Sequence, residues 1–293
     1  MGFFSANGCQ LYFEDSGTGT PLVFLHEFGG DTRSWRQQID HFSSDYRCIA
    51  LSCRGYPPSD VPTEDSGYGW QNSIDDAVAL LDHLGWEKAH FVGLSMGAFS
   101  GLMLALRHPQ RLLSLVAASG GSGAFPPTRQ EFIGNCLRLA EAAVASPTMP
   151  ADHMAYGPAR IQLREKDRRA WDEFYAYLDE HPGIGSGMTQ KWVQAARPSL
   201  HDFESEFAAV ETPVLLMVGD EDDACLDTNL WLKRVMPRSG LSVWPKSGHL
   251  LNLEDPARFN DEIAAFHALV TAAQWPDRNQ LLTRHAAPSD AIF

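Results

Sequence analysis

The chain has 293 residues, a formal net charge of -14 and a sequence pI of about 5.1, which disfavours nucleic acid and anionic membranes as partners because both bind clustered Lys and Arg. Its five cysteines include no C-x-x-C pair, a pattern that indicates reduced thiols in the cytoplasm rather than a disulfide framework. No apolar run is long enough to span a membrane, so we expect a cytoplasmic protein that acts on a small molecule.

The first part of the chain alternates short apolar strands with amphipathic helices. Asn7-Gly8, between two alternating segments, predicts a β-hairpin at the start of the sheet. Strands are predicted at 22–25 and 48–51, and a helix capped by Asn72 or Ser73 follows. This alternation predicts an α/β protein with a mostly parallel, doubly wound sheet of about eight strands, whose reactive groups gather at the carboxyl ends of the strands.

A serine between two glycines follows the buried strand predicted at 90–94. Residues 93–97 read GLSMG, a G-x-S-x-G sequence, and residues 96–108 read as a helix. The sequence is weak evidence alone, but a strand, a tight turn and a helix in this order are typical of a nucleophile elbow. Gly93 and Gly97 would leave room where side chains collide with the neighbouring strand and helix. Ser95 is therefore the candidate nucleophile.

The alternation stops between residues 123 and 210. Helices are predicted at 129–146 and 159–180, shorter ones near 190–196 and 200–208, and the segment HPGIGSG reads as a turn. A helical block inserted between two strands predicts a cap over the strand ends. Most of its aromatic residues belong to the core of the cap, but Tyr156 and Trp192 are candidates for the roof of an apolar pocket. The predicted organisation is an α/β core at 1–122 and 211–272, a helical cap at 123–210 and a tail at 273–293.

Two later loops carry candidate partners for Ser95. Four acidic residues at 220–223 follow the strand predicted at 213–218, and His249 lies on a Ser-Gly-His turn after the last strand. A serine hydroxyl is a poor nucleophile at neutral pH, so it needs a base within hydrogen-bond reach and an acid that orients that base. Serine, acid and histidine occur here in that chain order.

Together these features resemble the α/β-hydrolase-fold serine hydrolases of the capped esterase, lactonase and carbon–carbon hydrolase type, over about residues 1–272. The resemblance implies Ser95 as nucleophile and His249 as base. The family's G-x-x-D pattern points to Asp222 as the acid, with Asp223 as the alternative.

The resemblance also implies an oxyanion hole formed by the backbone N–H groups of Met96 and Phe28, the latter in the family's H-G-x loop. The glycine of that loop is Glu27 here. A carboxylate facing the pocket would oppose the charge of a tetrahedral intermediate. We therefore predict an ion pair between Glu27 and Arg54 that turns the carboxylate away from Ser95; the alternative is that Glu27 binds substrate or acts as a second acid or base.

The predicted function is hydrolysis of an ester or lactone of a small, largely apolar carboxylic acid through an acyl-enzyme. Carbon–carbon bond hydrolysis next to a ketone and cofactor-free perhydrolysis of the haloperoxidase type are rivals on the same fold, and a non-catalytic receptor for a small ligand is the rival of another class. No metal-ligand spacing, Walker loop or dinucleotide motif occurs, so no metal or cofactor is expected. The oligomeric state stays open, with a homodimer as one option.

Overall fold

The structure, a computed structural model, describes residues 1–284 and contains one eight-stranded sheet within them. The strands are β1 (Gly2–Ala6), β2 (Cys9–Ser16), β3 (Thr20–Leu25), β4 (Tyr46–Leu51), β5 (Ala89–Leu94), β6 (Leu112–Ala118), β7 (Val214–Gly219) and β8 (Ser239–Trp244). The helices are α1 (Arg36–Phe42), α2 (Trp70–His83), α3 (Met96–Arg107), α4 (Arg129–Val144), α5 (Ala151–Ala155), α6 (Ile161–Lys166), α7 (Arg168–Glu180), α8 (Gly183–Thr189), α9 (Glu204–Ala208), α10 (Asp223–Val235), α11 (Leu251–Glu254), α12 (Pro256–Thr271) and α13 (Arg278–Arg284).

The strand order is β1-β2-β4-β3-β5-β6-β7-β8, and every pair from β4 to β8 is parallel. The predicted α/β architecture and strand number are confirmed. The hairpin is confirmed as well, since β1 pairs antiparallel with β2 and the turn residues Asn7 and Gly8 have φ values of 47° and 79°. Parallel pairing places the carboxyl ends of β3, β5, β6 and β7 at one edge of the sheet, where the loops after them meet.

Apolar side chains cover both faces of the sheet. One buried cluster lies between the sheet and helices α2 and α3. A second lies between the sheet, α1 and α12 and continues without a break into the helices of residues 149–193. The helical insertion therefore packs on the same core as the sheet. Its predicted bounds, 123 and 210, stay a prediction.

Two predictions in the insertion are wrong. The helix expected over 159–180 is divided into α6 and α7, because the Asp167 side chain accepts a hydrogen bond from the Ala170 amide at 2.9 Å and caps the second helix. The segment read as a turn, HPGIGSG, contains the start of α8, which ends at Thr189 and continues as a π-helix over Gln190–Ala195. Its glycines permit close packing on α4: a Cβ at Gly183 would lie 2.3 Å from the Ala143 carbonyl oxygen.

Helix α2 also differs from the prediction, since neither Asn72 nor Ser73 caps it. The helix begins at Trp70, and the Ser73 hydroxyl bonds back to the Trp70 carbonyl at 2.7 Å. Within the predicted tail, Trp275 donates to the Arg238 carbonyl at 2.8 Å and α13 follows; residues 285–293 of that tail lie outside the described residues. Across residues 1–284, no helix combines the length and apolar character needed to cross a membrane.

Candidate active site

Ser95 occupies the sharp turn between β5 and α3. Its backbone has φ 53° and ψ -104°, a strained conformation for a residue with a side chain, and its amide donates to the Ala118 carbonyl at 2.8 Å. The flanking glycines make the turn possible. A Cβ at Gly93 would lie 2.3 Å from the Gly97 oxygen, and one at Gly97 would lie 2.0 Å from the Leu25 oxygen. The two glycines thus allow the tight turn that places Ser95 at the carboxyl end of β5.

His249 and Asp222 are joined by a hydrogen bond. His249 Nδ1 lies 2.8 Å from Asp222 Oδ2, and both side chains are buried. Asp222 precedes α10, whereas Asp223 is in the first turn of that helix and is exposed. Among the described residues, His249 Nε2 has no hydrogen-bond partner, so this nitrogen is available to a hydroxyl. The geometry therefore favours Asp222 over Asp223 as the orienting acid.

Ser95, Asp222 and His249 line one cavity of about 220 Å³ under the helical insertion. Its other lining residues are Phe28, Ser122, Phe132, Cys136, Met154, Ala159, Arg160, Gln190, Gln194 and Ala224. Most of these are apolar or small, and the polar ones come chiefly from the insertion. The volume is below the range of roughly 300–1,000 Å³ of drug-sized ligand sites, which indicates a small substrate.

Phe28 and Met96 are the residues predicted to donate to an oxyanion; Phe28 lines the cavity, and Met96 directly follows Ser95. Met96 is the first residue of α3, where an N–H group has no partner inside the helix. Phe28 lies in the turn after β3, whose shape is set by Gly29 at φ 84° and by the Gly30 amide donating to the Glu27 carbonyl at 3.0 Å. This arrangement can receive the oxygen of a polarised carbonyl group.

A family model described as the alpha/beta hydrolase fold matches residues 20–256. The chain belongs to the α/β-hydrolase fold family. It is a hydrolase of that fold, as its relatives are. The 2-hydroxymuconate semialdehyde hydrolase of Pseudomonas sp. (strain CF600) is 28% identical over 280 residues, which cover 92% of this chain and 94% of that protein.

Solved structures of the α/β-hydrolase fold agree with this assignment. A thermophilic esterase from Thermogutta terrifontis, determined with malate bound, has a TM-score of 0.81 at 25% identity, with 92% of this chain and 97% of that chain covered. A meta-cleavage product hydrolase from Pseudomonas fluorescens IP01 has a TM-score of 0.70 at 23% identity and the same coverage, and its likeness is one of fold alone.

The predicted ion pair between Glu27 and Arg54 is wrong. Arg54 instead makes a bidentate, buried pair with Asp76, at 2.6 and 2.9 Å. Glu27 is fully buried in the loop after β3, and its carboxylate lies against Gly30, where a Cβ would come within 2.7 Å of it. Glu27 does not line the cavity. Its carboxylate is accommodated because Gly30 has no side chain, and not because of an ion pair with Arg54.

Burial raises the pKa of Glu27 to about 7; its own backbone amide, the charge of Arg160 and a contact with Ser34 lower that pKa, and Asp31 raises it. The contact with Ser34 is loose, because no group of residues 1–284 meets the hydrogen-bond geometry of either carboxylate oxygen. The charge that compensates Glu27 therefore comes from the cap and not from the loop after β4.

Tyr156 and Trp192, the predicted roof residues, do not line the cavity. The Tyr156 side chain is 49% exposed and packs on Trp171, whereas the Trp192 ring lies under the ammonium of Lys191, 4.7 Å from it. The insertion instead lines the cavity with three polar residues, Arg160, Gln190 and Gln194. Sequence reasoning missed these three because helical periodicity does not say how a cap helix is rotated relative to the sheet.

One group of possible metal ligands includes part of this site. The ligand atoms of Asp222, Cys225 and His249 lie within 4.8 Å of one another. However, the Cys225 thiol donates to the Ser119 carbonyl at 3.2 Å, and burial raises its pKa well above its ordinary value. A thiol that keeps its proton is a poor metal ligand, so the arrangement favours proton transfer by His249 over metal binding.

Proposed function

We propose that this protein is a serine hydrolase that cleaves a carboxylic ester or lactone of a small substrate through an acyl-enzyme, with Ser95, His249 and Asp222 as its triad. The observation that carries the proposal is the Asp222–His249 hydrogen bond in the same cavity as a serine held at a strained elbow. The mechanism requires no cofactor, because acyl transfer to water needs only a nucleophile, a base and an oxyanion site.

In the first half-reaction, His249 Nε2 takes the proton of the Ser95 hydroxyl as the oxygen attacks the substrate carbonyl carbon. Asp222 holds the imidazole in the tautomer with Nδ1–H and stabilises the imidazolium without taking the proton. The N–H groups of Met96 and Phe28 stabilise the oxyanion. The intermediate collapses, the carbon–oxygen bond to the alcohol breaks, and the alcohol leaves with the proton of His249.

In the second half-reaction, a water molecule gives its proton to His249 and attacks the acyl-enzyme. The second tetrahedral intermediate uses the same two N–H groups. Its collapse breaks the bond to Ser95, which recovers the proton from His249, and the carboxylic acid leaves. With a lactone as substrate, acid and alcohol remain in one product.

Hydrolysis of a carbon–carbon bond is the second candidate. It is supported by relatives described as hydrolases of 2-hydroxymuconate semialdehyde and of 2-hydroxy-6-oxononadienedioate, both 28% identical to this chain. The fold and the triad geometry serve both reactions, so the substrate has to decide between them.

The experiment is labelling of the folded protein with a fluorophosphonate probe, followed by an activity panel. Ser95 should be labelled, and Ser95→Ala should lose both labelling and turnover while it keeps its free energy of unfolding. The panel compares a 4-nitrophenyl ester, a lactone and 2-hydroxymuconate semialdehyde. Absence of labelling in folded protein would contradict the proposal and favour a non-catalytic receptor, whereas preferred turnover of the semialdehyde would favour the second candidate.

A further inference from the structure

Arg160 is the feature of the cavity that the triad does not use. It precedes α6 in the cap and lines the cavity together with Ser95 and His249. Within residues 1–284 its guanidinium makes no hydrogen bond and no ion pair, and its Nε atom is buried. The residue as a whole is only partly exposed. A desolvated guanidinium with its donors unsatisfied is costly, so the cavity favours a ligand that satisfies them.

The position of Arg160 relative to the triad is fixed by its neighbour. The Ala159 carbonyl accepts a hydrogen bond from the His249 amide at 2.6 Å. A Cβ at Gly248 would lie 2.2 Å from the same carbonyl oxygen, so the two backbones touch. The backbone of Arg160 is therefore anchored beside the loop that carries His249, and its side chain lines the cavity together with Ser95 and His249.

Two carboxylates surround Arg160 without pairing with it. Asp222 and Glu27 both raise its pKa, against the lowering effect of burial, but neither lies within the 4.0 Å of an ion pair. Asp222 is already engaged with His249. Glu27 lies behind the cavity wall. The planar donor fork of Arg160 is thus left for an anion that enters the cavity, and a carboxylate matches that fork with two parallel hydrogen bonds.

We infer that Arg160 binds a carboxylate of the substrate, so that the substrate class is a small ester, lactone or ketone that also carries a free carboxylate. This inference rests on the proposed function, since it names the substrate of the same site. It adds a charged group to the small, largely apolar substrate expected from the sequence. The competing explanation is that Arg160 only balances the charges of Asp222 and Glu27, which would affect charged and neutral substrates equally.

The test compares two esters of matched shape: mono-(4-nitrophenyl) succinate and 4-nitrophenyl 4-methylpentanoate, in which an isopropyl group replaces the carboxylate. The quantity measured is the ratio of their kcat/KM values. In Arg160→Met this ratio should fall on the order of 10- to 100-fold, because a charge-assisted bidentate contact is lost for one substrate only. Arg160→Lys should give an intermediate ratio, since it keeps the charge and loses the fork.

The matched control is Arg164→Met. Arg164 is one helical turn further on, and its guanidinium lies over the Trp171 ring, 5.2 Å from its centroid, outside the cavity lining. In Arg164→Met, the ratio of the kcat/KM values of the two esters should equal that of the wild type. An unchanged ratio in Arg160→Met would overturn the inference and support the charge-balancing explanation. Should Arg160→Met not fold, the same ratio is measured in Arg160→Gln.

Calorimetry with succinate separates this inference from the proposed function. Succinate should bind to Ser95→Ala protein at least 10-fold more tightly than to the double variant with Arg160→Met. Equal binding overturns the inference even if Ser95 is labelled and esters are hydrolysed. Arg160-dependent binding in a protein that hydrolyses no ester would instead sustain the inference and remove the proposed function.

Discussion

Glu27 places a titrating carboxylate in the loop that carries Phe28, the proposed oxyanion donor. Its pKa, raised to about 7 by burial, means that the charge of this loop changes near neutral pH. The ionised form is disfavoured by burial and by Asp31 and favoured by the backbone amide of Glu27, by Arg160 and by Ser34, so the balance of these effects sets the pH at which the charge changes. The loop therefore couples proton uptake to the stability of the site.

The stability of the protein should depend on pH through Glu27. Its pKa is raised from 4.5 to about 7 on folding, so between these values the unfolded chain loses a proton that the folded protein keeps. The contribution of Glu27 to the free energy of unfolding should then be fully present below pH 4.5. It should fall by about 3 kcal/mol as the pH rises to 7. Glu27→Gln should remove this dependence, measured by urea denaturation at pH 5.5 and 8.

The control for this measurement is Glu141→Gln, which changes an exposed carboxylate on α4. It should keep the wild-type difference between the two pH values. Equal pH dependence in Glu27→Gln and the wild type would show that the Glu27 carboxylate is not the group responsible.

At the scale of elements, α3 lies unusually close to the sheet. Gly97 and Gly101 are one turn apart on its sheet-facing side, but their surroundings differ. A Cβ at Gly97 would meet the backbone oxygen of Leu25 at 2.0 Å, whereas one at Gly101 would meet the terminal carbon of the Leu115 side chain at 2.5 Å. A backbone atom cannot move aside and the end of a side chain can.

Gly97→Ala should therefore destabilise the protein by more than about 3 kcal/mol and abolish labelling of Ser95, because the elbow must shift. Gly101→Ala should cost less than about 1 kcal/mol, since the greater helix propensity of alanine offsets the rotation of Leu115. Urea denaturation and fluorophosphonate labelling of both variants check this. If both variants lost similar amounts of stability and labelling, the contact with the Leu25 backbone would not be the reason that residue 97 is glycine.

Elements whose signals are local could be predicted from the sequence. The hairpin turn at Asn7-Gly8 and the elbow around Ser95 each depend on a few adjacent residues. The helix α8 could not be predicted in this way, because its glycines are weak helix formers and their close packing on α4 depends on residues distant in the sequence. Glycine favours turns in a chain without neighbours, and tertiary packing overrides that preference here.

At the scale of the whole molecule, the cap and the core meet at the loop that carries His249. Lys166 of α6 donates to the Ser247 hydroxyl and to Glu254, each at 2.8 Å. The buried Glu254 carboxylate also accepts a hydrogen bond from the Gly248 amide at 3.0 Å. The loop that carries His249 is thus hydrogen-bonded to α6 of the cap and to α11 of the core.

Lys166→Met should loosen this loop. It leaves the buried Glu254 carboxylate with backbone donors only, at a cost of about 1–2 kcal/mol because Lys166 itself is partly exposed. Hydrogen exchange of residues 247–250 should accelerate about 10-fold, and kcat should fall. Arg168→Met, which breaks an exposed pair with Asp172, is the control and should change neither quantity. Unchanged exchange in Lys166→Met would mean that the cap does not hold the loop.

The grouping of Ser95, Asp222 and His249 in one cavity could be predicted because each of them follows a strand, and parallel strands bring their carboxyl ends together. Arg160 and the partner of Arg54 could not, since they depend on how loops and cap helices sit across the sheet. Glu27 was noticed as unusual from the sequence alone. Its surroundings, set by Gly30 and Arg160, required three-dimensional packing to identify.

The hydrogen bond from the His249 amide to the Ala159 carbonyl bears on how such enzymes can be engineered. A cap is commonly treated as an exchangeable module that sets specificity while the core keeps the chemistry. Here a carbonyl of the cap accepts a hydrogen bond from the backbone of His249, the proposed general base, so a chimera with a foreign cap should lose the alignment of that base as well as its old specificity. A new cap that functions on this core should therefore place a backbone carbonyl where that of Ala159 lies. In a library of caps, variants that restore this hydrogen bond should be selected before any that change the substrate preference.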